Sequence, residues 1–209
     1  MLMKPLKRAV DKHPLWINFL KDVHGCGPLM AGVILSELDI TKANYVSSFW
    51  KYAGLDTVER LDEEGNPTGI KDGRTKKGIH QIQVEYTNKK GEDAIRNSIT
   101  YNPLLKTKLV GVLGSCFLRS GGYYSDIYYG YRARLDNNLE HDDKSDGHKH
   151  AMAIRYMIKY FLQDTFVAWC LVEGRTPPSA YHVGKLGMAP HTKTSPALLS
   201  LLEKHKIHA

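Results

Sequence analysis

The 209-residue chain has few of the features that mark the common function classes. Its three cysteines, Cys26, Cys116 and Cys170, lie far apart, with no C-x-x-C pair to start a disulfide framework or zinc site. The basic N-terminus lacks the continuous apolar run and small-residue cleavage site of a signal peptide, and no stretch reaches membrane-spanning length. The chain therefore reads as soluble, reduced and cytoplasmic, with no membrane partner. It has no Walker-type glycine loop, dinucleotide fingerprint or Ser-His-Asp spacing, which argues against the nucleotide-binding and hydrolase classes these motifs serve. Internal repeats and low-complexity tracts are also lacking.

What is present begins with charge. Against 22 Asp and Glu stand 29 Lys and Arg, giving +7 and a pI near 9.2, a balance that suits a polyanionic partner. Residues 151–209 hold 7 basic and 3 acidic side chains, more than half of the surplus. Apolar content of 42% is that of an ordinary globular protein able to bury a core.

The stretch LKDVHGCGPLMAGVILSEL, Leu20 to Leu38, reads as helix, two-glycine turn and helix. Gly25 and Gly27 permit a tight turn, Pro28 suits a first helical position, and Leu29, Val33, Ile34 and Leu38 recur at helical spacing. Small Ala31 and Gly32 would let the two helices of the hairpin approach closely. The pattern Val23-His24-Gly25-Cys26-Gly27-x-x-x-Ala31 resembles the helix-hairpin-helix element that grips nucleic-acid backbones, with the amides around His24, Gly25 and Gly27 as phosphate donors.

The rest divides in order. Residues 1–56 form the helix-hairpin-helix region, closed by a helix from Val46 that Gly54 ends. Residues 57–91 are polar and glycine-punctuated, with alternation at Ile79, Ile82, Val84 and Tyr86. They read as a β-hairpin or two whose Lys71, Arg74, Lys76, Lys77, Lys89 and Lys90 reach for phosphates or simply solvate a loop. Residues 92–178 form a helical body. In it, Asn102-Pro103 opens a helix burying Leu105, Leu109, Val112, Leu113, Cys116 and Phe117; a tyrosine-arginine helix runs from Tyr123 to Arg134; and the longest helix covers His150 to Val172. Residues 179–209 are a basic tail with a short apolar helix from Ser195 to Leu202. The fold class is mainly α: a helical bundle with a helix-hairpin-helix element and a small β-hairpin insertion.

Two constellations stand out. In YYSDIYYGYRAR, Tyr124 and Tyr128 would stack unpaired bases while Arg132 and Arg134 hold phosphates, unless the rings pack inward instead. Arg155 and Lys159, one turn apart on the long helix, are further backbone contacts, joined by Arg175 and Lys185. The cluster His141, Asp142, Asp143, Asp146, His148 and His150 reads as a solvated acidic loop, so no metal and no cofactor are expected.

The hairpin followed by Tyr52-Ala53-Gly54-Leu55 resembles the C-terminal domain of the bridge-RNA-guided insertion-sequence transposases (the IS one-ten and IS one-sixteen group), whose hairpin reads close to hPGIGxxTAxxLLAEIGD before a helix ending in YxGL. The resemblance covers about Pro14 to Trp169. It implies a nucleic-acid-holding domain. The family's acidic RNase H-like domain, which would precede the hairpin, is expected to be absent, and no serine falls in residues 56–91, where the family nucleophile would stand. The domain is also similar to the Nop domain of box C/D ribonucleoproteins and to the guide-RNA-binding Tas proteins. That resemblance implies a non-catalytic protein binding a structured guide RNA and, through it, target DNA, as a homodimer and with a separate nuclease as a further candidate partner. Two alternatives stay open: a minimal transposase or recombinase subunit using Ser98 or Ser115, and a sequence-independent duplex-DNA-binding accessory protein.

Overall fold

The structure is a computed structural model describing residues 3–74, 81–178 and 194–205. It is mainly helical with two small antiparallel β-hairpins. The helices are α1 (Met3–Val10), α2 (Pro14–Asn18), α3 (Pro28–Glu37), α4 (Val46–Tyr52), α5 (Pro103–Lys106), α6 (Gly114–Ser120), α7 (Tyr123–Asp136), α8 (Asp146–Val172) and α9 (Pro196–Lys204). None is long and apolar enough to cross a membrane.

The bundle is built around α8, which packs against α2, α4, α6, α7 and α9. Its 27 residues start at Ser145, whose hydroxyl caps the helix by accepting from the His148 amide. Its apolar run is so dense that Met157, Ile158, Phe161 and Leu162 are fully enclosed. Phe117 sets its ring 5.3 Å from Phe161, and Phe49 lies 5.4 Å from Phe166, both edge-on as ring quadrupoles prefer. The C-terminal α9 seats Leu198, Leu201 and Leu202 in the same core.

Several sequence expectations shift. The first arm of the glycine hairpin is only the short α2 and a 3₁₀ turn at Leu20–Asp22. The helix that approaches Gly32 is α1: a Cβ on Gly32 would fall 2.9 Å from the Leu6 side chain. Leu29, expected in the core, is half exposed, because α3 turns Met30, Ala31, Gly32 and Ile34 inward instead. Between α5 and α6 the helix is π-bonded over Thr107–Leu113. Its i→i+5 pattern widens the turn and rotates Val112 out to solvent, so the regular 3.6 spacing fails at that residue.

The polar insertion forms two separate two-stranded sheets: β1 (Thr57–Leu61) with β2 (Pro67–Gly73), and β3 (Gln81–Thr87) with β4 (Asp93–Ile99). The returning strand β4 runs past residue 91 into the stretch read as helical body, and Ser98 lies on it, opposite Ile82, rather than in a helix. Ile79 lies outside the described residues.

Candidate nucleic-acid interface

The glycine turn carries its two glycines differently. Gly25 has φ of +91°, and a Cβ there would meet the Ser120 hydroxyl at 2.7 Å and the Phe117 ring at 2.9 Å. Its side of the turn is thus packed against the end of α6. Gly27 caps α3 in extended conformation, with nothing within 4 Å of a Cβ, so its glycine character is not required by the rest of the chain. The exposed His24 ring places Nδ1 3.4 Å from the Gly121 carbonyl, fastening the turn to the α6–α7 junction.

Tyr124 and Tyr128, base platforms on the sequence reading, point inward. Tyr124 stacks on Phe117 at 4.8 Å and donates to Asp164 Oδ2 at 2.8 Å, while the Tyr128 hydroxyl lies 2.6 Å from His150 Nδ1. Both rings are buried and offer no face to a base. Arg132 is held by Asp136 and by Asp146 at 2.6 Å, and Arg175 donates to the Ile40 carbonyl at 2.9 Å. Of the cluster that reads in sequence as a solvated acidic loop, Asp146 and His148 instead begin α8. Among the described residues no three His, Cys, Asp or Glu side chains gather as metal ligands.

The charge that does converge lies where β2 meets the helical body. Arg74, just past β2, grips Asp56 with Nε at 2.6 Å and Nη2 at 2.9 Å, and gives Nη1 to Thr100 Oγ1 at 2.6 Å. Lys106 at the end of α5 donates to the Arg74 carbonyl at 2.6 Å and sits 5.0 Å from the Tyr101 ring centre. From α8, Arg155 extends its guanidinium against Gly73, and Lys159 lies over the Trp50 indole at 4.4 Å. The indole Nε1 in turn donates to the Lys159 carbonyl at 3.0 Å.

These cations crowd one another. Burial lowers the pKa of Lys106, Arg155 and Lys159; the neighbouring Arg155 charge lowers both lysines further, and Arg74 also acts on Lys106. Among the described side chains, the carboxylate that couples to all of them is Asp56, already engaged by Arg74.

Tyr131 joins this cluster to an aromatic ladder. It lies one helix turn before Leu135 on α7, and its ring stacks on Tyr156 of α8, the residue after Arg155, at 4.0 Å and 13°. The exposed Arg134 lies over Tyr131 at 4.7 Å, and the Tyr156 hydroxyl meets that of Tyr160 at 3.1 Å. Chemically the arrangement offers several fixed cations and an arginine-capped aromatic pair to an anionic, planar ligand.

Of the site residues read from sequence, the structure brings Arg155 and Lys159 together with Arg74, and sets Arg134 on the adjoining ladder. His24, Gly25 and Gly27 sit at a separate turn, and Lys76, Lys77 and Lys185 lie outside the described residues. Trp50, Asp56 and Lys106 were missed: each stands alone in its own segment, and only the long-range contacts of α4, α5 and α8 unite them. Of the serines weighed as nucleophiles, Ser115 donates to the Gly111 carbonyl at 2.8 Å along its own helix. Compared with family models, curated proteins and solved structures, the chain matches none.

Proposed function

We propose that the protein is a non-catalytic, structured-RNA-binding protein that grips backbone phosphates through the cluster of Arg74, Lys106, Arg155 and Lys159. The carrying observation is the imbalance in that cluster: partly buried cations gathered from three segments, with Asp56 facing all of them and already paired to Arg74. Half-buried like charges repel and lose hydration, so an arrangement of this kind is stabilised by a bound anion. The net charge of +7 favours a polyanion as that partner.

The resemblance of the glycine hairpin and Tyr52-Ala53-Gly54-Leu55 to guide-RNA-associated domains supports a guide RNA as the ligand. On this reading target DNA is reached by base pairing, the protein acts as a homodimer, and a separate nuclease performs any cleavage. The protein is tested by gel shift with structured RNA and with random duplex DNA at about 50 mM salt. Preferential binding of the RNA is expected, weakening with salt by about 0.7 to 0.9 log units per log unit for each phosphate contacted. Binding of neither nucleic acid defeats the reading. Equal affinity for both makes the protein a duplex-binding accessory factor instead.

A further inference from the structure

The same cluster has walls as well as charge. The Arg155 guanidinium lies so close to Gly73 that a Cβ there would collide with it, so the end of β2 closes one side. Trp50 closes another: its ring covers the Lys159 ammonium, and its Nε1 is anchored to the Lys159 carbonyl. A third limit is Lys106, whose ammonium is fixed by the Arg74 carbonyl.

The charge count within these walls is also specific. Asp56 balances Arg74 through a bidentate pair. Lys106, Arg155 and Lys159 remain, and among the described residues neither Arg155 nor Lys159 has a carboxylate at ion-pair distance. An internal phosphodiester brings one negative charge, whereas a terminal phosphomonoester brings about 1.5 to 2 at neutral pH and three acceptor oxygens. The monoester matches three cations better. A seat closed on two sides also suits the end of a strand more than a strand running through.

Resting on the nucleic-acid-binding reading above, we propose that Lys106, Arg155 and Lys159 form a seat for the terminal phosphate of a nucleic-acid strand, preferring it to an internal phosphodiester. The seat fixes one end of the bound RNA against the base of the β1–β2 hairpin, and the rest of the strand is held by ordinary backbone contacts.

The test uses one internally labelled RNA hairpin in three forms: 5′-phosphorylated, 3′-phosphorylated, and hydroxyl at both ends. Each is titrated by fluorescence anisotropy with the full chain and with Arg155→Gln and Lys159→Met variants. One phosphorylated form is expected to bind about tenfold tighter than the hydroxyl form, the effect of a new charge-assisted contact set. That advantage should vanish in each variant, and inorganic phosphate should compete it away. Lys159→Met keeps an unbranched side chain against Trp50, so it carries the test if Arg155→Gln fails to fold, as judged by circular dichroism. If all three RNAs bind the unaltered protein equally, the end-phosphate proposal is overturned while RNA binding stands. Failure of every RNA to bind overturns both.

Discussion

Gly54 and Gly27 show how differently two glycines of one sequence are constrained. Gly54 ends α4 at φ of +64°, where a Cβ would fall 2.5 Å from the Tyr101 ring. Strain and overlap add there, so Gly54→Ala is expected to cost about 2 kcal/mol or more in urea denaturation. Gly27→Ala has room and an ordinary backbone, and should cost less than about 1 kcal/mol as a weaker helix cap. The role of Gly54 as a helix terminator was readable from Tyr-Ala-Gly-Leu, but the two hairpin glycines looked alike, since only the folded backbone, left-handed at Gly25 and extended at Gly27, and its packing separate them. Asp164 was invisible for the same reason: nothing on α8 announces that its carboxylate will be enclosed. Burial raises its pKa to about 6, although Ser195 and the Tyr124 hydroxyl partly offset this by hydrogen bonding. The unfolded chain titrates it near the ordinary aspartate value of 3.8, so the folded state binds the proton more tightly. Its contribution to stability is full below about pH 4 and is lost as pH rises through about 6, a difference of about 3 kcal/mol. Comparing denaturation midpoints of the unaltered chain and Asp164→Asn between pH 4 and 7 should show this slope disappear in the variant.

The helices were the most legible elements and the connections between them the least. The start of α3 at Pro28, the Asn102 cap of α5 and the apolar stripe of α8 follow from local chemistry that needs no partner. The π-bonded stretch from Thr107 does not, because it depends on how Leu105, Leu109 and Leu113 seat together in the core, and so Val112 was misplaced. Alternation revealed strands near Ile82 and Tyr86 but not the return strand β4, whose Asp93–Ile99 sequence mixes charge and apolar residues without a clear period. Both hairpins are two-stranded sheets that leave Ile70, Ile82 and Ile95 exposed, and such hairpins are marginal without a covering layer. In the free protein, amides of β1–β4 should therefore exchange with solvent at least about a hundredfold faster than those in the middle of α8, as hydrogen-exchange mass spectrometry would record. Comparable protection of the hairpins and α8 would show that the strands are supported in a way their exposure does not reveal.

Across the molecule, the sequence pointed to a polyanion and to α8, and the structure moves the emphasis from the glycine turn to the base of the first hairpin. The basic surplus was clearest beyond residue 150, where Arg155 and Lys159 lie one turn apart, yet Arg74 and Lys106, which converge on them, are too far away in the chain for spacing to link them to that pair. Tyr124 and Tyr128 looked like base platforms because a tyrosine-rich helix has the same composition whether its rings face out or in. The decision is made by Asp164 and His150, which accept or share their hydroxyl protons inside the fold. The proposed function places the Arg155–Lys159 region against nucleic-acid backbone. It is tested most directly by measuring the salt dependence of RNA affinity for the unaltered chain and for Arg155→Gln/Lys159→Gln together. The double variant is expected to stay folded, to bind more weakly and to show a log-log salt slope shallower by about 0.7 to 0.9, the worth of the one phosphate that the two side chains hold together. An unchanged affinity with an unchanged slope would contradict that placement.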